Sequence, residues 1–397
     1  MSPIDLHRFL ALVFWLGVCG TLYSYVLFPA LAAVLARRHR STLRHDDREP
    51  ELAVTLIIPA YNEERSIGAR IHNALEADYP RALFEIIVVS DASTDATDEI
   101  VRSFRDPRVR LLVQPARRGK TAGLNEAVRA ARGEIVVFTD ANAAYPRGTI
   151  RRLAQYFRQP AIGLVTGYTR YALNGTGAVS ETSNVYTSIE RVIKKAESAW
   201  GCCVGADGAI FAIRRALYMP LRADDINDFV IPLSIAERGY RCVLAEDVFC
   251  SEGSSHSLDS EFRRQSRITN RTLRALWRNA RLLNPLRFPR LSFFLFSHKV
   301  LRFGVPVFLV MSGVSLALLA PREPLYFAAA GAVLCGGAGV LFARNRPGSL
   351  LALDHPWLKP LRMTHVFLTV NAAMLHGWWR FLSGQGDVTW QHDRSAA

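Results

Sequence analysis

Phe9 to Ala36 runs without a single charged residue, and that stretch limits the fold more than any other feature. A hydrocarbon core takes about 20 apolar residues of helix to cross, and backbone groups inside it must pair within the segment. The stretch is therefore read as a spanning helix. Arg37, Arg38, His39 and Arg40 follow at once. Basic flanks are held on the cytosolic side, which predicts the N-terminus outside and the next domain inside. A cleaved signal peptide does not fit, because the stretch is too long and no small-residue cleavage site stands out.

The chain turns apolar again from Leu291 to Ala320, with a break at His298 to Arg302 that carries Lys299 and Arg302. The expected spanning part is Phe303 to Ala320. Leu325 to Ala343 is a second span, after the short loop Pro321 to Pro324. Arg344, Arg346, Lys359 and Arg362 gather on the loop that follows, which the same charge rule places in the cytosol. Val366 to Leu382 reads as a third span or, by its His376, Trp378, Trp379 and Arg380, as an interface helix.

Half of the 397 residues are hydrophobic, yet 21% are charged, which fits a soluble domain joined to a few membrane segments. Asp and Glu gather in the soluble part rather than in the spans, which argues against a transporter. The net charge of +14 is assigned to lipid headgroups and a phosphate-bearing substrate, with no nucleic acid partner. The six cysteines, Cys19, Cys202, Cys203, Cys242, Cys250 and Cys335, lack zinc-ligand spacing and are expected to be reduced.

Between the apolar ends, Pro50 to Asn284 reads as soluble. Leu52 to Pro59, Phe84 to Ser90, Val109 to Val113 and Glu134 to Thr139 have strand composition. Glu63 to Ala77, Asp95 to Phe104 and Lys120 to Ala131 alternate with them at helical spacing. This βαβ alternation predicts an α/β fold, a mostly parallel sheet with helices on both faces. Ligands of such sheets gather at the carboxyl ends of the strands. There the chain places Pro59-Ala60-Tyr61-Asn62-Glu63, Asp91 to Asp95, and Asp140-Ala141-Asn142. Asp95 alone is explained as a helix cap and Asn62 as a turn residue, but polar residues from three strands converge on one edge. Ala60 to Arg65 holds no glycine, which excludes a dinucleotide fingerprint, and Gln114 breaks the P-loop pattern before Gly119-Lys120-Thr121.

Four motifs in order resemble family 2 glycosyltransferases, the inverting group that includes cellulose, hyaluronan and poly-N-acetylglucosamine synthases. Thr55-Leu56-Ile57-Ile58-Pro59-Ala60-Tyr61-Asn62-Glu63-Glu64 is similar to the family's opening strand, and Val88 to Asp95 resembles its nucleoside-binding turn. Gly119-Lys120-Thr121-Ala122-Gly123-Leu124-Asn125 resembles a third motif, and Asp140-Ala141-Asn142 lies where the family has its metal-binding D-x-D. The resemblance implies a GT-A-like domain that binds a nucleotide-diphosphate sugar, a UDP-sugar, through Pro59, Tyr61, Glu63, Asp91, Lys120 and Asp140. It implies a divalent metal, Mg2+ or Mn2+, on Asp140 and Asn142, with Asn142 standing where the family carries a second Asp. A carboxylate such as Asp91 suits the N–H of a uracil ring, and hard cations take oxygen ligands.

Later motifs are looser. Val204 to Ala209 resembles the acceptor-side loop, although its glycines are equally plain turns. Asp224, Asp225 and Asp228 are three candidates for a general base, and the resemblance selects Asp228, before a helix read from Phe229 to Arg238 with Gly239 as its stop. Arg264-Gln265-Ser266-Arg267-Ile268 is similar to the family's [QR]-x-x-R-W, with Arg264 or Arg267 as a diphosphate partner and Ile268 in place of Trp. The stretch around it also reads as an amphipathic interface helix. The domain division is 1–40, a membrane helix and basic flank; 50–258, the cytosolic transferase; 259–290, the interface helix; 291–385, two or three membrane helices; and 386–397, a tail. The implied function is sugar transfer with inversion to a glycan or lipid-linked acceptor at the bacterial inner (plasma) membrane, among membrane lipids. The rival from another class is a membrane-tethered nucleotide-sugar sensor without catalysis.

Overall fold

The computed structural model describes residues 3–38, 52–171, 178–253, 258–345 and 358–386. Of the basic clusters expected to face the cytosol, residues 39, 40 and 346 lie outside the described residues, as does the tail from 387.

Short Val- and Ile-rich runs form the strands β1 (Val54–Ala60), β2 (Phe84–Ser90), β3 (Val109–Val113), β4 (Ile135–Thr139), β5 (Ile162–Tyr171), β6 (Ile210–Arg214) and β7 (Arg241–Glu252). They make one sheet in the order β3-β2-β1-β4-β6-β5-β7. Neighbours pair in parallel except for β6, which runs antiparallel to both β4 and β5. Every residue of β1 and of β4 is buried, as continuous apolar runs in a sheet covered on both faces should be.

The helices of the βα units are α3 (Ile67–Leu75), α4 (Thr97–Ser103), α5 (Lys120–Ala130), α6 (Thr149–Tyr156), α7 (Ala178–Ala199) and α8 (Asn227–Glu237). Along β1 the faces alternate, so Leu56 and Ile58 pack with Ile67, Ile71, Ile150 and Leu153 from α3 and α6. Ile57 points the other way, to Leu124 and Ala127 of α5 and to Ile231 and Ile235 of α8. The strand order reverses at β1, whose neighbours are β2 and β4, and that reversal is where such sheets open a ligand crevice.

At the N-terminus α1 (Pro3–Leu22), a π turn (Tyr23–Leu27) and α2 (Phe28–Arg38) run on from one another. After β7 come α9 (Leu258–Arg278), α10 (Pro289–Phe294), a second π turn (Leu295–Val300), α11 (Leu301–Leu319), α12 (Pro324–Asn345) and α13 (Lys359–Leu382). Among the described residues three stretches are helical, long and apolar enough to cross a membrane: Ile4–Arg37, Pro289–Leu319 and Pro324–Phe342.

Several sequence readings are corrected. The polar break at His298 to Arg302 does not interrupt its helix; the π turn carries the chain through it, and His298 is buried at 1% exposure. Val366 to Leu382, read as a span or an interface helix, is the body of α13; it is not one of those three stretches and packs along α9, with His376 Nδ1 2.8 Å from Ser266 Oγ. The helix expected from Glu63 begins at Ile67, because residues 62–66 form a turn that binds the neighbouring strand end. The helix expected from Phe229 begins at Asn227. All six cysteines are free thiols; four are buried, while Cys19 and Cys335 are exposed on apolar helices.

The apolar helices do not hang off the domain. Phe28 and Ala32 of α2, with Phe294 and Leu295, share one core with Ile193 and Ala196 of α7 and with Phe229 and Leu233 of α8.

Candidate active site

Register aligns the strand ends. Ala60 pairs with Ser90, and Ser90 with Val113, so the turns after β1, β2 and β3 open at one level. Two non-glycine residues there have left-handed backbones, Asn62 (φ 53°) and Ala92 (φ 54°). They persist because the turns bind each other. Thr94 N–H donates to Asn62 Oδ1 at 2.9 Å, and Asn62 N–H to Ser93 Oγ at 3.2 Å. Glu64 N–H donates to Asp95 Oδ2 at 3.1 Å, and Ala96 N–H to Glu64 Oε2 at 3.2 Å. Glu63 is 1% exposed; its amide donates to Thr97 Oγ1 and its carboxylate accepts from Ser66 Oγ. Its side chain therefore braces the turn. Tyr61 is half-buried, with the Arg117 guanidinium 3.9 Å over its ring.

Asp91 is buried, and its carboxylate accepts from the amides of Arg118 at 2.8 Å and Gly119 at 3.0 Å. Gly119 has φ 86°, a conformation that favours glycine, and it starts α5 with Lys120 as the first helical residue. Lys120 Nζ reaches Asp140 Oδ1 at 2.6 Å. Pro59, Asp91, Lys120 and Gly123 line one cleft with Gln114. Gln114 is 1% exposed, and its Oε1 has no hydrogen-bond partner among the described residues.

Asp140 and Asn142 follow β4, and β7 brings Glu252 to the same place. Glu252 Oε1 is buried and has no hydrogen-bond partner among the described residues. Burial first, then the charges of Asp140 and Asp207, push its carboxyl up to about 8, against the pull of Lys120 and Arg264. Asp207 is spoken for by Thr169, whose Oγ1 and N–H donate to it at 2.8 and 2.9 Å. Among the described residues no three His, Cys, Asp or Glu side chains form a cage for a metal. Repelling carboxylates with an orphaned buried oxygen still suit a hard cation whose remaining ligands come from substrate phosphates, as Mg2+ sites commonly are.

Asp228 sits inside the first turn of α8, after Ile226 at the cap position, so it does not cap the helix. Four residues on, Pro232 has no N–H to offer the Asp228 carbonyl. That carbonyl accepts instead from Ala206 N–H at 2.7 Å, which ties the glycine loop to the helix. A Cβ on Gly208 would meet Asp228 Oδ2 at a tight 3.1 Å, so the carboxylate lies close against that glycine. Oδ1 is buried without a hydrogen-bond partner among the described residues. Burial raises the carboxyl above its ordinary range, with Lys120 and Lys194 opposing.

The two other acids of that run are engaged. Arg278 of α9 bonds Asp224 at 2.7 Å and Asp225, and Asp225 also accepts from Arg222 N–H at 2.8 Å. Arg264 pairs with Glu261 on its own helix at 2.8 Å while its charge acts on Glu252; Arg267 is half-buried three residues on. Sequence reasoning missed Glu252 and Gln114. The alternating strand pattern of β7 held a signal for Glu252, but only the β5–β7 pairing carries it to Asp140.

A mixed sheet with polar strand ends, a buried carboxylate beside a glycine loop and a cleft lined by Pro59, Asp91 and Lys120 fits a nucleotide-sugar transferase architecture. Residues 55–218 match the model of Glycosyl transferase family 2, and the chain carries a family 2 glycosyltransferase domain. It is similar to a mannosyltransferase from Pyrobaculum calidifontis solved in complex with GDP-Man and Mn2+, with TM-score 0.73 and 26% identity over 94% of this chain and 99% of that one. It is 36% identical over 118 residues to beta-monoglucosyldiacylglycerol synthase of Synechocystis, covering 29% of this chain and 25% of that protein. It is 25% identical over 181 residues to poly-beta-1,6-N-acetyl-D-glucosamine synthase of Staphylococcus epidermidis, covering 45% of this chain and 43% of that protein. The chain thus spans between a quarter and just over half of the length of the curated relatives it matches.

Proposed function

We propose that the protein transfers a sugar from a nucleotide-diphosphate sugar to an acceptor hydroxyl at a membrane, with inversion, and that Asp228 is the general base. The observation that carries this is the environment of Asp228. Its buried Oδ1 lacks a partner among the described residues, while Asp224 and Asp225 are held by Arg278. A non-catalytic sensor would have no use for such a group.

The donor's nucleoside diphosphate takes the cleft between Pro59, Asp91 and Lys120. The resemblance favours UDP, whereas the similar solved mannosyltransferase was determined with GDP-Man and Mn2+. Glu63, engaged within its turn, is left out of the donor contacts. A divalent cation held by Asp140 and Asn142 would neutralise charge on the departing diphosphate. The acceptor hydroxyl loses its proton to Asp228 as its oxygen bonds the anomeric carbon, and the bond to the diphosphate oxygen breaks on the opposite side. The apolar helices anchor the domain in the membrane, with the basic flank at Arg37 on the cytosolic side.

Asp228→Asn tests the role. The amide cannot take the proton, so transfer should fall by about 10²–10⁴-fold while melting temperature and donor binding hold. Near wild-type transfer by that variant would sink the assignment. Because the carboxyl is raised by burial and works deprotonated, kcat/KM should fall with acid at a pH above the usual Asp value of about 3.9, and that limb should vanish in the variant.

A further inference from the structure

Two polar side chains at neighbouring strand ends, Asp91 after β2 and Gln114 after β3, line one cleft with Ala60, Val89 and Gly123. The Gln114 backbone N–H donates to the Ser90 carbonyl at 2.9 Å. Parallel pairing thus sets Gln114 beside Asp91, one step beyond the register pair of Ser90 and Val113. The side chain of Gln114 is held from the α5 side, because a Cβ on Gly123 would stand 2.7 Å from its Nε2. Its nitrogen end therefore packs on the helix backbone. The other end, Oε1, is buried with no hydrogen-bond partner among the described residues.

A buried acceptor without a donor is costly, and such a group in a folded protein calls for an explanation. Asp91 has capacity left as well. Its Oδ1 accepts from the amides of Arg118 and Gly119, whereas its Oδ2 only shares the Gly119 amide at 3.0 Å. An ionised carboxylate offers about four lone-pair sites. Lys120, the cation of the same lining, bonds Asp140 at 2.6 Å. The polar floor at the ends of β2 and β3 is thus a pair of neighbouring acceptors, facing a cleft whose other walls include the apolar Pro59, Ala60 and Val89.

We propose that this cleft reads guanine through Gln114, so that the donor is a guanosine-diphosphate sugar. Gln114 Oε1 accepts from the 2-amino group of the base, and Asp91 Oδ2 accepts from its N1–H. The proposal rests on the cleft being the nucleoside site, and it departs from the UDP-sugar that the family resemblance implies. Asp91 alone does not decide the base, since a carboxylate suits the N3–H of uracil as well as the N1–H of guanine. Gln114 decides it. Guanine carries two neighbouring donors on its pairing edge and so matches two neighbouring acceptors. Uracil carries one donor between two carbonyls, and with N3–H on Asp91 a carbonyl would face Gln114 Oε1, acceptor against acceptor. Cytosine and adenine set a ring acceptor beside their single amino group and meet the same conflict. Buried polar groups left unpaired by the wrong ligand are how such a site rejects it.

Calorimetric titration of the full chain in detergent, with Mn2+ present, tests this with GDP, UDP and inosine diphosphate. Inosine differs from guanosine only in lacking the 2-amino group, so it isolates the bond to Gln114. Wild type should bind GDP about tenfold tighter than either other probe, the worth of one buried hydrogen bond. Gln114→Met keeps the bulk and removes the acceptor. It should weaken GDP to the level of inosine diphosphate and leave inosine diphosphate itself unchanged. The wild-type comparison needs no variant, so it stands even where Gln114→Met fails to fold. Equal binding of GDP and inosine diphosphate by wild type overturns the proposal, as does equal weakening of both by Gln114→Met at unchanged melting temperature. Tighter binding of UDP than of GDP sinks the guanine assignment and leaves the transferase reading standing. Binding of none of the three defeats the reading of the cleft as a nucleoside site, and the proposal with it.

Discussion

Ala92 shows what single residues are made to bear at this site. Its φ of 54° places a methyl group in a backbone region that costs an L-residue roughly 1–2 kcal/mol. Such conformations persist where the surroundings over-determine them, and here the crossed bonds among Asn62, Ser93, Thr94 and Asp95 do so. Ala92→Gly should therefore raise stability by about 1 kcal/mol, once glycine's extra chain entropy is deducted, with a melting temperature higher by about 2–4 °C. An unchanged or lower melting temperature would mean that the turn is not strained. Residues at strand ends, Asp91 and Asp140 among them, were legible because strand boundaries can be counted from Val and Ile runs. Glu252 was not, since its neighbourhood depends on β7 lying beside β5 across the sheet. Nor was the carboxylate of Asp91, which binds the amides of Arg118 and Gly119, a contact between two turns that no local spacing encodes.

At the scale of elements, α8 explains how a helix start becomes a reactive position. The sequence reading began the helix at Phe229, with Asp228 just before it; the helix begins two residues earlier because Ile226 is extended at φ −100° and Asn227 already turns. Pro232 then removes the N–H that would have closed the ring onto the Asp228 carbonyl. The proline was visible in the sequence, but its consequence needed Ala206 to be brought alongside by β6. Pro232→Ala returns that N–H to the helix, so the Asp228 carbonyl is contested and the 204–208 loop loosens. Stability should stay level or rise, because proline is a poor interior helix residue, while transfer falls by about tenfold, as a small loss of orientation can cost. A variant with unchanged kcat would show that the Ala206 bond does not hold the site. The first four strands were placed nearly to the residue, because they are short unbroken apolar runs, whereas β5, β6 and β7 were not read from the sequence. Helix starts were placed less well, because side chains such as Glu64 and Asp95 spend their hydrogen bonds on each other's turns.

For the whole molecule, the sequence divides cleanly into apolar ends and a polar middle, and it gives no hint that the two share a core. Phe28 at 1% exposure and Ala32 at 0% lie against α7 and α8, so the first apolar helix covers the back of the helix that carries Asp228. Burying a large apolar side chain contributes about 1.5–3 kcal/mol, against a total stability of about 5–15 kcal/mol for a typical domain. A chain lacking residues 1–38 should therefore lose more than its anchorage. In detergent, where anchorage is irrelevant, it should melt several degrees lower than the full chain and transfer sugar more slowly. Nucleotide-sugar binding should be affected less, because the donor cleft lies at the ends of β1 and β2, among residues of the other cores. Replacing Phe28 by Ala in the full chain separates the two roles, since the helix and its hydrophobic length remain. If that variant melts and turns over like wild type while the truncated chain fails, the N-terminal helix acts only as an anchor and the shared core is incidental. If both fall together, the membrane helices are part of the enzyme's fold, and the site is complete only when the chain is seated on them.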